Sequence, residues 1–215
     1  MVGLADDGQR YYVKGPKTPV VFAEAAGYCL AREAGLAVPE WAFWLDPRDN
    51  ATFFASREIQ IRSGVVDLLR ADPLGVAPFL QLCIVIDIWL ANPDRNMGNI
   101  VLDPISDSGA IVKRPLAIDF EKSQVLRGES RFQVNMLNGR SFWPREELGA
   151  TCQGLPFPEG CCAVVSAYDE ARIYGLLQGV HLDMHIPPLA WFDSAVSQLA
   201  DRAHKIHELT QEAWS

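Results

Sequence analysis

Several features of exported and membrane proteins are missing from this sequence. No apolar run reaches the roughly 18 residues that a membrane helix needs, and the longest, Phe79 to Ala91, contains Gln81 and Asp87. No charged and then apolar signal segment follows Met1, so export is not expected. The five cysteines are odd in number and lack CxxC spacing, which does not fit a disulfide framework. We therefore expect a cytoplasmic protein with no membrane partner.

Positive charge is also scarce. The 19 lysines and arginines are outnumbered by 27 aspartates and glutamates, which gives a formal net charge of −8. General nucleic-acid binders usually carry a basic stripe, and none is visible here, so no nucleic-acid partner is expected. The composition, 49% hydrophobic and 21% charged in 215 residues, is that of a globular protein with one domain or two small lobes.

The first 60 residues predict a small sheet and one helix. Strands are expected where aromatic and β-branched residues concentrate, at Tyr11–Lys14, Trp41–Leu45 and Thr52–Ser56. A helix is expected at Val20–Gly35, because apolar residues recur near the helical period and Gly35 suits a helix end.

From residue 61 onward the pattern is mainly helical. We predict helices at Pro78–Leu90, Ala163–Leu177 and Pro188–Trp214, and two strands, Asn99–Leu102 and Ile111–Ile118, around a turn at Pro104–Gly109. The fold class is therefore α+β: a reduced N-lobe at 1–60, with a small antiparallel sheet and one helix, and a mainly helical C-lobe at 61–215.

The segment after the apolar helix at Pro78–Leu90 carries the most chemical information. A polar loop follows that helix and places Asp94 and Asn99 in the order D-x-x-x-x-N before a strand begins. Asp119 follows the next predicted strand, so a hairpin would bring Asn99 and Asp119 to its two neighbouring ends. Mg²⁺ prefers such oxygen ligands and combines one or two carboxylates with substrate phosphates.

A phosphoryl-transfer site follows from this arrangement. Asp94 would orient or deprotonate an attacking hydroxyl, while Asn99 and Asp119 would hold the metal against the phosphates. The plainer alternatives are a turn residue at Asp94, a strand-start residue at Asn99 and a hairpin-end carboxylate at Asp119.

A candidate cation lies upstream. Lys14 ends a strand and Glu24 lies in the next helix, a pairing that kinases use to grip nucleotide phosphates. Lys17 competes with Lys14, and Glu24 could instead be a solvated acid of the first helical turn. Gly15-Pro16-Lys17-Thr18 looks like the end of a P-loop, but the required earlier glycine is replaced by Arg10.

Three further residues are expected to support the loop. Asp87 is unusual within an apolar helix and needs a partner, for which Arg95 is the obvious candidate. Asn92 is expected to bond the loop backbone. A zinc site has little support, because the spacing of the candidate ligands fits no standard finger: Cys152, Cys161, Cys162, His181 and His185.

The order of these motifs resembles that of the HipA-like kinases, relatives of the protein-kinase fold. The matching segments are Tyr12-Val13-Lys14, Glu24-Ala25-Ala26, Ala34-Gly35-Leu36-Ala37-Val38-Pro39, Phe54-Ala55-Ser56-Arg57, the loop from Asp87 through Asn99, and Ile118-Asp119-Phe120. The resemblance covers about residues 8 to 125. Phosphatidylinositol kinases share a similar loop and I-D-F segment.

The resemblance implies a bilobal kinase that uses ATP and Mg²⁺ to phosphorylate a Ser or Thr hydroxyl on a protein. It implies catalytic roles for Asp94, Asn99 and Asp119, and contacts to the cofactor from Lys14, Glu24 and the hinge residues Ser56, Arg57 and Glu58. Some relatives are bacterial toxins of toxin–antitoxin systems.

Two departures from the kinase pattern keep other hypotheses open. Only about ten residues precede the Lys14 strand, so we expect the first hairpin and its glycine-rich loop to be missing, and a small partner protein would then complete or regulate the N-lobe. The segment Ile118-Asp119-Phe120, which we call the metal segment, is also followed by Glu121 where protein kinases have glycine. The alternatives are a pseudokinase or nucleotide-binding module, and a kinase of small molecules or lipids.

Overall fold

The computed structural model describes residues 2–4, 8–59, 67–68, 71–107, 110–128, 139–187 and 189–215. Within these residues the strands are β1 Val2–Leu4, β2 Arg10–Lys14, β3 Trp41–Asp46, β4 Ala51–Arg57, β5 Ile100–Asp107 and β6 Ala110–Ala117. The helices are α1 Thr18–Glu33, α2 Pro73–Leu90, α3 Glu146–Cys152, α4 Glu159–Ser166, α5 Glu170–Asp183, α6 Phe192–His204 and α7 Ile206–Trp214. Short 3-10 turns occupy Met97–Asn99 and Gly139–Phe142. The α+β class expected from the sequence is confirmed.

The first four strands form one antiparallel sheet in the order β1-β2-β4-β3. Lys14, the last residue of β2, pairs with Phe54 in the middle of β4. Strand β1 pairs with β2 and was not predicted, because three residues are too few to show an alternating pattern. One short strand therefore precedes the lysine strand, and the expectation that the first hairpin and its glycine-rich loop are missing stays a prediction.

Helix α1 connects this sheet to the rest of the molecule. Its buried side includes Phe22, Ala26 and Leu30, and it packs against both β4 and α5. Buried Tyr28 lies with its ring centroid 4.9 Å from that of Phe54 in the sheet and 5.5 Å from that of Phe120 in the second half of the chain. Helix α1 is thus the element that sets the sheet against the candidate metal segment.

Helix α2 is the central element of the larger part. It begins at Pro73, five residues before the predicted start, because Asp72 acts as the N-cap and accepts a hydrogen bond from the Gly75 backbone at 3.0 Å. Pro78 lies inside the helix rather than at its start. At the other end, Arg202 donates hydrogen bonds to the carbonyls of Ile88 and Trp89. A cation at a helix C-terminus is favourable, although burial lowers the pKa of this guanidinium to about 10.

Strands β5 and β6 form a separate two-stranded ribbon. The predicted turn at Pro104–Gly109 is wrong for its first half, since β5 continues through Pro104, which pairs with Lys113. Proline is tolerated at a strand edge that needs no ladder hydrogen bond, and both strands of a ribbon have such an edge. The ribbon is attached to the α1 exit by a hydrogen bond from the Ala117 amide to the Ala37 carbonyl at 2.9 Å.

The two long C-terminal helices expected from the sequence are each divided. Ala163–Leu177 spans parts of α4 and α5, which separate near Asp169, where the carboxylate caps α5 through the Arg172 amide at 2.8 Å. Likewise Pro188–Trp214 contains α6 and α7, which meet at Lys205. An N-cap side chain inside an apolar pattern is a local signal that periodicity alone does not register.

One cluster of buried side chains extends from Val21 in α1, through α2, to Ala213 in α7. The division into lobes at 1–60 and 61–215 stays a prediction, because its boundary falls within residues 60–66, outside the described residues. Among the residues that are described, no helix combines the length and hydrophobicity needed to cross a bilayer.

The close approach of α1 to Phe120 can be tested by substituting a glycine of that helix. A Cβ atom at Gly27 would lie 2.3 Å from the Cβ of Phe120, next to Asp119. We expect Gly27→Ala to lower the free energy of unfolding by about 1–3 kcal/mol through overpacking, measured by urea denaturation.

Gly175→Ala in α5 is the matched control, because nothing lies within 4 Å of a Cβ added there. Alanine should stabilise that helix by about 0.5–1 kcal/mol relative to glycine. Equal effects of the two substitutions would show that α1 does not approach Phe120 this closely.

Candidate active site

Lys14 lies at the centre of a group of three carboxylates. Its Nζ is 3.1 Å from Glu24 Oε1, 2.8 Å from Asp119 Oδ1 and 3.4 Å from Glu121 Oε2. These side chains come from the end of β2, from α1 and from the segment after β6. Burial alone would lower the pKa of Lys14, but the attraction of Glu24 and Asp119 outweighs it and raises the pKa. Lys14 therefore stays a cation.

Glu24 joins the lysine to the segment that follows Asp119. Its side chain is buried within α1, and its second oxygen accepts a hydrogen bond from the Phe120 amide at 2.7 Å. Burial raises the pKa of this carboxyl group, and the Lys14 ammonium offsets part of that rise. The alternative of a solvated first-turn acid at Glu24 is excluded by this burial.

The loop after α2 is organised by a buried ion pair. The Arg95 guanidinium donates to both carboxylate oxygens of Asp87, at 2.7 and 3.0 Å, and both side chains are buried. Burial disfavours the charged guanidinium, but Asp87 raises its pKa overall. The predicted partnership of Asp87 with Arg95 is present in the structure.

Arg95 also fixes the two ends of the β5–β6 ribbon. Its Nη1 donates to the carbonyl of Asn99 at 2.8 Å and to the carbonyl of Ile118 at 2.5 Å, and its guanidinium carbon lies 4.9 Å from the Phe120 ring centre. The Ile118 amide donates to the Asn99 carbonyl at 3.0 Å. The two ends of the ribbon are therefore joined at Asn99 and Ile118, as expected of a hairpin, and Asp119 follows directly.

Asn92 and Asp94 complete the loop. Asn92 donates to the Asp87 carboxylate at 2.8 Å and to the Asp119 carbonyl at 3.4 Å, so it bonds a side chain as well as backbone. The backbone carbonyl of Asp94 accepts from the Asn99 side-chain nitrogen at 3.1 Å. This bond commits the Asn99 nitrogen to the loop and leaves its side-chain oxygen as the atom suited to a cation.

A cleft of about 370 Å³ lies between the first sheet and the β5–β6 ribbon. Its polar side contains Lys14, Glu24, Asn99 and Asp119, and its other lining residues are Tyr12, Val13, Tyr28, Pro39, Ser56, Arg57, Ile59, Gly98, Val101 and Ile118. Pockets for small ligands have this character, with apolar walls and a few convergent polar groups.

The fold resembles that of a solved kinase. The crystal structure of a Helicobacter pylori proinflammatory kinase, CtkA, superimposes with a TM-score of 0.59 and 17% sequence identity, over 99% of this chain and 93% of that chain. The bilobal, protein-kinase-like fold expected from the motifs is therefore confirmed. No sequence profile of a known family matches the chain, and no curated protein does, so the resemblance to the HipA-like family stays a prediction.

Within this kinase-like fold, the predicted hinge residues separate into two groups. Ser56 and Arg57 line the cleft, and the Arg57 guanidinium lies 3.1 Å from the Asp103 carboxylate of β5. Glu58 instead accepts a hydrogen bond from Tyr12 at 2.8 Å and pairs with Arg10 at 2.9 Å. The contacts of Glu58 are thus within the first sheet and its exit.

The Asp94 carboxylate faces a second depression next to the cleft. It pairs with the Arg145 guanidinium at 3.3 Å and is partly exposed. Pro93, Lys122, Gln124 and Arg127 line the same depression, whose volume is about 280 Å³. We call this second depression the basic pocket.

The sequence did not identify Arg145 as part of the site, and it predicted no contact for Glu121. Nothing in the sequence around Arg145 links it to Asp94. Glu121, which stands where protein kinases have glycine, contacts Lys14. Lys17, the competing lysine, is exposed at the start of α1. In the part of the chain that the structure describes, no three His, Cys, Asp or Glu side chains form a metal-binding group.

The buried ion pair provides a stability test. Asp87→Asn would leave the Arg95 charge buried without its carboxylate, and breaking such a pair typically costs about 3–5 kcal/mol. We expect a loss of that size in the free energy of unfolding, measured by urea denaturation.

Asp201→Asn is the control, because Asp201 pairs with Lys205 on the surface at 2.8 Å, four residues apart. Such exposed pairs contribute about 0.3–0.5 kcal/mol. A loss at Asp87 no larger than that at Asp201 would contradict the buried role of Asp87.

Proposed function

We propose that this chain is a phosphotransferase that uses ATP and Mg²⁺ to phosphorylate an alcohol group. The observation that carries the proposal is the position of Lys14, held between buried Glu24 and Asp119 at the mouth of a cleft. A strand lysine paired with a helical glutamate is the device by which kinases hold nucleotide phosphates. The kinase-like fold supports the proposal.

The dimensions and lining of the cleft fit a nucleotide. Its volume of about 370 Å³ lies within the range of small-ligand pockets. Val13, Ile59, Val101 and Ile118 offer apolar contact for a planar base, while Lys14 and Asp119 lie on the polar side. Base and phosphates would therefore find matching surfaces in one site.

The charge around Lys14 fits a divalent metal. Three carboxylates surround a single ammonium, and the excess of negative charge suits a cation bound together with phosphates. Asp119 and the side-chain oxygen of Asn99 would hold Mg²⁺. When bound, that ion would neutralise phosphate charge and polarise the γ-phosphoryl group. Lys14 would then exchange its bond with Asp119 for a bond with a phosphate oxygen, while Glu24 keeps it in place.

Asp94 is the residue proposed to act on the acceptor. It orients the acceptor hydroxyl and takes its proton as the hydroxyl oxygen bonds to the γ-phosphorus and the β–γ bridging oxygen leaves with ADP. The pair with Arg145 holds the carboxylate at the edge of the basic pocket. The HipA-like motifs further support a Ser or Thr of a protein as the acceptor.

The test combines phosphate transfer with nucleotide binding, using the full chain, Mg²⁺ and ATP labelled on the γ-phosphate. Asp94→Asn should lower transfer to cell-lysate proteins by about 10²–10⁴-fold, the usual contribution of a general base. The same variant should keep the rise in melting temperature that saturating nucleotide produces. Lys14→Met and Asp119→Asn should lose both transfer and that rise.

Asp183→Asn, an exposed acid at the end of α5, is the matched control and should behave like the parent chain. Nucleotide stabilisation of the parent chain without any transfer would contradict the enzyme and support a nucleotide-binding module. Undiminished transfer in Asp94→Asn would refute the role given to that carboxylate.

A further inference from the structure

The basic pocket next to Asp94 is not used by the nucleotide site. Its lining contains Lys122, Arg127 and Arg145, with Asp94 as the single acid. This grouping of cations contrasts with the net charge of −8 of the whole chain. A local positive site in an acidic protein favours an anionic ligand.

The backbone that carries Lys122, Gln124 and Arg127 is fixed from beneath. Ser123 between them is buried, donates to the Leu90 carbonyl at 2.6 Å and accepts from the Leu126 amide at 3.3 Å. The Gln124 amide donates to the Ala91 carbonyl at 3.1 Å. The pocket is therefore attached to the end of α2, as is the loop from Asp94 to Asn99.

Arg145 reaches the same place from a different segment. Its backbone amide donates to the Arg95 carbonyl at 2.9 Å, and its guanidinium lies 3.3 Å from the Asp94 carboxylate. Two separate stretches of chain thus bring cations to the pocket that contains Asp94, the residue that the proposed function places on the acceptor hydroxyl.

From this arrangement, and resting on the proposed function, we infer that the acceptor is a Ser or Thr within an acidic peptide segment. Arginine presents a planar set of donors that matches a carboxylate or phosphate. An extended peptide advances roughly 3.3–3.6 Å per residue, so an anionic side chain within about three residues of the hydroxyl would reach the pocket.

An open site suits a peptide better than an enclosed small molecule. The side chains of Lys122 and Arg145 are 47% and 56% exposed, whereas small-ligand pockets bury most of their ligand. When an acidic side chain of the peptide binds Arg145, the Asp94 carboxylate is released from that pair and becomes available to the hydroxyl.

The test measures binding separately from catalysis. Fluorescein-labelled peptides of equal length carry one serine flanked by glutamates, by alanines or by lysines, and anisotropy with the full chain gives their affinities at low salt. The glutamate peptide should bind most tightly. Lys122→Gln and Arg145→Gln should each lower the affinity for the glutamate peptide about two- to fivefold. Neither substitution should change the affinity for the alanine peptide.

Lys205→Gln is the matched control, because Lys205 is 48% exposed and, like Lys122, pairs with an acid. Its affinity for the glutamate peptide should equal that of the parent chain. Phosphate transfer to the same peptides is measured in parallel, and the ratio of kcat/KM between glutamate and alanine peptides should fall in Lys122→Gln and Arg145→Gln.

Equal affinity for the three peptides would overturn the inference while transfer to any of them still supported the proposed function. Selective binding of the glutamate peptide without transfer would support the inference about the pocket and count against the proposed function. Displacement of the labelled peptides by glucose 6-phosphate, with no selectivity among the three peptides, would overturn the inference of a peptide acceptor in favour of a small phosphorylated acceptor.

Discussion

The buried carboxylate of Glu24 is the contact on which the arrangement of this site depends. One of its oxygens lies 3.1 Å from Lys14 of β2, and the other accepts the Phe120 amide at 2.7 Å. A carboxylate removed from water is costly unless both oxygens are satisfied. Helix α1 can therefore pack in this position only when the strand lysine and the segment after Asp119 are both in place, so the folding of the core also assembles the site.

Arg95 has the corresponding role on the other side of the cleft. Its charge is balanced by Asp87 inside α2, and its Nη1 donates to the carbonyls of Asn99 and Ile118. The ion pair need not add net stability compared with apolar residues of the same shape. What it adds is position, because the two ends of the β5–β6 ribbon are bonded to one buried group. Asn99 and Asp119 are adjacent for that reason.

The contacts that the sequence predicted are those between motifs with a local signal. A carboxylate inside an apolar helix needed a cation, and Arg95 was the near one; a hairpin brings its two ends together whatever its turn. The start of α2 at Pro73 and the extent of β5 differ from the prediction because proline usually marks the boundary of an element, whereas Pro78 and Pro104 are each tolerated where they lie. Arg145 could not be found from the sequence, since only the packing of the later segment brings it to Asp94.

The short loop from Asp94 to Asn99 separates two sites of opposite charge. The Asn99 side chain faces the cleft with its carboxylates, while the Asp94 side chain faces the cations of the basic pocket. The hydrogen bond from the Asn99 side-chain nitrogen to the Asp94 carbonyl, at 3.1 Å, fixes one residue relative to the other. Transfer between two bound groups requires near-contact alignment of the reacting atoms. Because Arg95 and this bond fix the loop, the two sites keep a constant position relative to each other. Opposite charge on its two faces then directs a metal with its phosphates to one side and an anionic acceptor to the other.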